Sequence, residues 1–134
     1  MATIKSFTSL EQSRKLAKIL PLESADMLIG NYVGKSGIVD GTNIHYYTKG
    51  EILSAPQIIE AWSLAALLEQ LPCEICDDKG NSANISIYKE KDKYKLVYNS
   101  SFYEDFDAIE TDFHENLVDA CVAMIESLHE LNLL

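Results

Sequence analysis

The last third of the chain lacks positive charge. Residues 101–134 contain nine Asp or Glu residues and no Lys or Arg, in a protein whose 21 acidic and 11 basic residues give a net charge of −10. A protein gains affinity for nucleic acid mainly by replacing counterions with cationic side chains. We therefore expect no direct binding of nucleic acid by this region.

Long hydrophobic runs are also missing. The longest apolar stretch falls well short of the roughly 20 residues needed to cross a bilayer, and residues 1–7 contain no apolar run of signal-peptide length. We therefore expect a cytoplasmic protein that does not enter a membrane. With 134 residues, of which 47% are hydrophobic, the chain is large enough to bury a core, and we predict one domain over residues 1–134.

Cysteine is scarce, with three residues in the chain. Cys73 and Cys76 have the spacing of a redox disulfide or of two zinc ligands. A thioredoxin-like pair lies at the start of a helix, however, whereas this pair follows a predicted helix and Pro72. Zinc would need a second paired motif, which the sequence lacks. We interpret both cysteines as small residues entering a strand.

Two further motifs fall short of a ligand site. Residues 30–36 end like a phosphate-binding loop but have three residues between the glycines where that motif has four. The acidic stretch 104–115 lacks the spacing and the central glycine of an EF-hand, and although His114 lies beside these acids, proximity in sequence establishes no catalytic geometry. We expect a turn and a solvated acidic loop, and we predict no catalytic residue, metal or cofactor.

The first half of the chain mixes helical and extended patterns. Thr8 and Glu11 have capping-box spacing, and the apolar residues that follow predict a helix over 9–20. Residues 27–33 and 44–47 have extended character and are separated by a glycine-rich segment that favours turns.

Two more helices are predicted by their caps. Ser54 and Gln57 have capping-box spacing and predict a second helix that runs to about Gln70. Its expected inward stripe comprises Ile58, Trp62, Ala65 and Leu68, and it is widened by Ile59, Ala66 and Leu67. Asn116 is a good cap for the last helix, with Asp119 in the first turn, where the helix dipole favours negative charge.

From residue 83 onward the hydrophobic period changes to two. Ile85 and Ile87 alternate with polar residues, as do Tyr94, Leu96 and Tyr98 in the next run, which predicts a hairpin with one face on the core. The whole order is helix, two strands, helix, hairpin and helix. It predicts an α+β fold with three helices packed on one side of a small, mostly antiparallel sheet.

Several stretches carry a family resemblance. They are Gln-Ser at 12–13 with Lys-Leu at 15–16, Ala-Asp-Met at 25–27, the run 62–72 that begins Trp-Ser-Leu, and 116–120. In this order they resemble a family of short uncharacterised proteins from Bacteroides-type gut bacteria, many of which belong to prophages or other mobile elements. The resemblance implies that setting and supplies no activity or site residue.

We predict a small acidic protein-interaction module, accessory to a mobile element, that binds an unknown protein partner. Its expected surface combines the acidic loop with exposed hairpin tyrosines, whose rings offer contact area and a polar tip. The candidate residues are Glu104, Asp105, Asp107, Glu110, Asp112, Tyr88 and Tyr98. Two alternatives stay open, an acidic mimic of DNA that blocks a nucleic-acid enzyme and a small enzyme without a recognisable motif. We expect the carboxylates of the last third to face solvent without cationic partners.

Overall fold

The computed structural model describes residues 5–30, 38–39, 45–48, 59–100 and 107–134. Within these ranges the helices are α1 (Leu10–Leu16), a short 3-10 helix (Leu22–Ser24), α2 (Leu64–Gln70) and α3 (Leu117–Glu130). The first four strands are β1 (Met27–Ile29), β2 (Ile38–Val39), β3 (His45–Thr48) and β4 (Ile59–Ala61). The remaining strands are β5 (Glu74–Cys76), β6 (Ser82–Glu90), β7 (Lys93–Asn99) and β8 (Ile109–Glu110).

The predicted α+β class is confirmed, but the strands form two sheets where one was expected. Sheet 1 has the strand order β2-β3-β1-β4, and sheet 2 has the order β5-β6-β7-β8. All the pairings described are antiparallel. The helices do not all contact the same sheet. Helix α1 lies against β4 of sheet 1, whereas α3 lies against β7 of sheet 2 and against α2.

Helix α1 is capped one residue later than predicted. The Ser9 hydroxyl accepts from the backbone N–H of Gln12 at 3.2 Å, and the Gln12 side chain accepts from the Ser9 N–H at 3.0 Å. The capping box of Thr8 with Glu11 is therefore wrong. The Thr8 hydroxyl is instead buried, where it accepts from the backbone N–H of Trp62 at 3.1 Å.

The described part of the predicted second helix, from residue 59 onward, is divided into a strand and a helix. Strand β4 pairs with β1, with Ile59 opposite Ile29, and this pairing outweighs local helix propensity. Ser63 then caps α2 by accepting from the N–H of Ala66 at 3.2 Å. The predicted cap at residues 54–57 lies outside the described residues.

The predicted inward stripe of the second helix is confirmed at Trp62, Ala66 and Leu67 and wrong at Ala65 and Leu68, which are exposed. Trp62 is fully buried, but it precedes α2 and its ring N–H donates to the Ser24 hydroxyl at 2.9 Å. Within α2 the buried residues are Ala66 and Leu67, whereas Leu68 is 37% exposed. The stripe narrows because residues 59–61 form strand β4 and α2 begins only at Leu64, so Ala66 and Leu67 form the face that meets the core.

The predicted hairpin of β6 and β7 is confirmed. Its register pairs Ile87 with Leu96 and Ile85 with Tyr98, and paired residues of an antiparallel ladder point to the same face. This inner face of sheet 2 packs on the core, where Leu96 is fully buried. The residues that alternate with these along each strand point to the opposite side of the sheet, which we call the outer face.

The main core joins the three α-helices to the inner face of sheet 2. Helix α3 begins at the predicted cap, because the Asn116 side chain accepts from the N–H of Asp119 at 2.8 Å. The apolar spacing of this helix predicts one inward stripe of Leu117, Cys121, Met124, Ile125 and Leu128, and all of these except the half-buried Leu117 are fully buried. A smaller apolar cluster packs on sheet 1. In the described part of the chain, no helix has both the length and the apolar character needed to span a membrane.

Candidate functional site

A one-residue bulge lies where β7 meets the chain segment that includes β8. Val97 pairs with Glu110, and Tyr94 forms an isolated bridge with His114. The three-residue step along β7 is therefore matched by a four-residue step along the opposing segment. A bulge of this kind redirects the side chains that follow it.

Thr111 stabilises the bulge with its side chain. The backbone N–H of Leu96 donates to the Thr111 hydroxyl at 3.1 Å, and the Thr111 N–H donates back to the Leu96 carbonyl at 3.0 Å. Beyond the bulge, the register turns Phe113 to the outer face of sheet 2. Without the extra residue, the alternation of the strand would place Phe113 on the inner face.

Lys95 lies on the outer face within reach of two aromatic rings. Its Nζ atom lies 4.9 Å from the ring centroid of Phe113 and 5.9 Å from that of Tyr88. Such cation–π contacts are worth about 0.5–1 kcal/mol each at exposed sites. The Lys95 Nζ also lies 3.8 Å from a carboxylate oxygen of Glu110. We call Tyr88, Lys95 and Phe113 the aromatic face.

The aromatic face remains open to solvent. Tyr88 is 50% exposed and Phe113 is 37% exposed, whereas the Lys95 side chain is only 23% exposed. A groove of about 480 Å³ runs beside them and is also lined by Val97, which is buried, and Asn99. The cation therefore holds two rings in position while their outer edges stay accessible to a partner.

Of the predicted acidic residues, Glu110 lies at this face, whereas Asp107 lines a separate pocket with Cys76 and Leu131. Asp107, Glu110 and Asp112 are exposed. Residues 109–110 form strand β8, so the stretch predicted as a continuous acidic loop is partly a strand. Glu104 and Asp105 lie outside the described residues.

The prediction that Tyr98 belongs to the interaction surface is wrong. Tyr98 is fully buried on the inner face, and its hydroxyl donates to the backbone carbonyl of Pro72. Burial raises the pKa of this hydroxyl above its ordinary value. The sequence contained the signal, because Tyr98 shares the two-residue period of Leu96. Tyr88 belongs to the opposite face and is exposed as predicted.

The expectation that the acidic residues of the last third have no cationic partner is wrong at two positions. Glu110 lies near Lys95, and an Asp119 carboxylate oxygen accepts from the Lys5 Nζ at 2.7 Å. Burial by itself raises the Asp119 pKa, but hydrogen bonds from Lys5, Gln12 and Asn116 outweigh it, so the pKa lies below its ordinary value. Because these two carboxylates have cationic neighbours, they are not available to imitate DNA phosphates.

The cysteines occupy two different environments. Cys73 and Cys76 are exposed, and Cys76 is the last residue of β5, so the prediction that the pair enters a strand is confirmed. Cys121 is buried in α3, and burial raises its pKa to about 12. Among the residues that the structure describes, no group of three His, Cys, Asp or Glu side chains is arranged to hold a metal ion.

Sequence reasoning missed Lys95 and Phe113 as site residues. Lys95 could have been identified from the sequence, because the alternation of residues in the predicted hairpin places it on the outer face. Phe113 could not, because its direction depends on a bulge that leaves no mark in the local sequence. Comparison adds no relative, since no protein family, curated protein or solved structure matches this chain.

Proposed function

We propose that this protein is a small acidic interaction module that binds a protein partner through the aromatic face. The observation that carries the proposal is the arrangement of Tyr88 and Phe113, two half-exposed rings on either side of a half-buried lysine. Aromatic side chains are enriched at the centres of interfaces. Rings that are already held in place lose less conformational freedom on binding.

The overall charge of the protein indicates the chemistry of the partner. The groove beside the rings is lined by Lys89 and Lys95 as well as by Glu90 and Glu110, so its own charges are mixed, whereas the chain as a whole carries a net charge of −10. A partner with an apolar pocket for the rings and a net positive charge is complementary to this protein. The net charge steers such a partner, so its association rate falls as salt is added.

The cytoplasmic and mobile-element settings remain part of the proposal. The resemblance described above supports the mobile element, and the acidic composition disfavours direct binding of nucleic acid. We do not extend the proposal to a mimic of DNA, because Glu110 and Asp119 already have cationic neighbours.

The proposal is tested in two steps. The immobilised wild-type protein is used to capture proteins from its native cells, and each captured protein is then purified and its affinity is measured by calorimetry. Tyr88→Ala and Phe113→Ala should each weaken binding by about tenfold or more, as expected at an interface hot spot.

Leu68→Ala is the matched control, because Leu68 on α2 has the same 37% exposure as Phe113. It should leave the affinity unchanged. The double charge reversal Asp107→Lys with Asp112→Lys should mainly slow association. A partner whose affinity is unaffected by both ring variants, or is lost equally in the Leu68 variant, would contradict this assignment of the surface.

A further inference from the structure

Strand β6 has an edge that its neighbours leave open. The edge of β6 that lies away from β7 is paired with β5 only at residues 82–84. Next to this pairing, the N–H of Ile85 donates to the carbonyl of Cys73 at 3.2 Å. The remaining residues, 86–90, are all exposed. Within the described ranges no strand pairs with this side of 86–90. An open edge is a template for pairing with another chain.

The backbone groups available on this edge follow from the alternation of an antiparallel ladder. Successive residues direct their N–H and C=O groups to opposite neighbours. Because the Ile85 N–H points away from β7, Ile87 and Lys89 direct their groups the same way, towards solvent. A strand laid beside β6 would therefore bond to these two residues.

We propose that a second copy of this protein pairs with the edge, in antiparallel orientation about a two-fold axis at Tyr88. The open window 86–90 is centred on Tyr88, so this axis pairs the whole window with its own copy. Ile87 and Lys89 of the second copy then exchange both backbone hydrogen bonds, and the same pair repeats across the axis. Sheet 2 of one copy and sheet 2 of the other then form one continuous sheet.

Neighbouring registers are disfavoured. An axis at Lys89 places two like charges opposite each other, which is destabilising. An axis at Ile87 requires a bond from the N–H of Ile85, which is already donated to Cys73. The axis at Tyr88 instead sets two tyrosine rings side by side on the outer face. On the inner face it lays Ile87 along the aliphatic stem of Lys89 of the second copy.

The charge of the protein sets the salt dependence of this dimer. Each copy carries −10, so the copies repel, and added salt should strengthen dimerisation by screening. Binding of a cationic partner should weaken under the same change, which separates the two proposals. The dimer does not depend on the existence of that partner.

The first experiment measures mass by sedimentation at protein concentrations from about 10 µM to about 500 µM. Because the paired window is short, we expect a weak dimer with a dissociation constant of roughly 100 µM. The mass should rise from 15.0 kDa towards twice that value. A wild-type protein that stays monomeric throughout would overturn the proposal.

Variants at Ile87 test the edge without altering the aromatic face. Ile87→Lys should fold, because Ile87 is already 49% exposed, and should raise the dissociation constant at least about tenfold by opposing Lys89 of the second copy. Leu131→Lys, at an exposed leucine beyond α3, should dimerise like the wild type. A dimer that survives Ile87→Lys, or that is lost in Phe113→Ala instead, would place the contact elsewhere. If the wild-type protein is monomeric and Ile87→Lys abolishes its binding to the protein partner, the dimer is ruled out and the edge is the binding site of that partner.

A disulfide trap tests the position of the axis. In a Cys73→Ser, Cys76→Ser background, Tyr88→Cys should give a cross-linked dimer under mild oxidation. The reason is that residues facing each other across the axis lie about 4.5 Å apart at Cα, within disulfide range. Asn84→Cys is the control, since it is exposed on the same strand and face but lies beside β5. Equal cross-linking of both variants would overturn the proposed register.

Discussion

The backbone N–H of Leu96 donates to the side-chain hydroxyl of Thr111 at 3.1 Å, where a regular ladder would use a backbone carbonyl. Thr111→Val removes this acceptor and leaves a buried donor without a partner, which costs about 1–3 kcal/mol. Urea unfolding should show that loss. Thr111→Ser retains the hydroxyl and should recover most of it, whereas equal losses in both variants would mean that the methyl group is what matters.

The ion pair of Asp119 with Lys5 makes stability depend on pH. The folded-state pKa of Asp119 lies below its ordinary value, so the stabilisation is complete at neutral pH and is lost as the pH falls through the folded pKa. Asp119→Asn should cost about 1–2 kcal/mol at pH 7, allowing for partial exposure, and the difference from wild type should shrink below about pH 4. Unfolding in urea at several pH values measures it.

The control for this prediction is the same change in a Lys5→Gln background. There the cost of Asp119→Asn at neutral pH should be smaller, because the strongest donor to the carboxylate is gone. A difference that is constant over the whole pH range would mean that the charge of Asp119 does not contribute.

The turn of the long hairpin holds a lysine in an unfavourable backbone conformation. Lys91 has a φ of 56°, in the left-handed region that glycine adopts without steric cost. Lys91→Gly should therefore raise the free energy of unfolding by about 0.5–1 kcal/mol, a gain visible in thermal melts. Lys91→Ala removes the charge but keeps the steric cost and should give no such gain. Equal stabilisation by both would assign the effect to charge.

The three cysteines should differ in reactivity. Cys73 and Cys76 are exposed, whereas Cys121 is fully buried and its pKa is raised to about 12. Since the thiolate is the reactive form, iodoacetamide at pH 8 should modify only the first two in the folded protein. Mass spectrometry counts the modifications, and a urea-unfolded sample should give all three. Rapid modification of Cys121 in folded protein would contradict its place in the core.

The sequence by itself determined the elements whose signals are local. Asn116 caps α3 through the N–H of a residue in its own first turn, and the apolar spacing of α3 marks the face that the structure buries. The hairpin of β6 and β7 followed from its period of two. That period also marked Tyr98 as inward and Tyr88 as outward, although the prediction placed both on the surface.

Only the tertiary structure decided which strands share a sheet and where the ladder is interrupted. Ile59–Ala61 carries a helical pattern yet becomes a strand because β1 offers it a partner thirty or more residues away in sequence. Phe113 faces outward because a threonine bonds across to β7. Both outcomes depend on contacts between residues distant in the chain, whose free energies exceed local propensity and leave no periodic mark in the sequence.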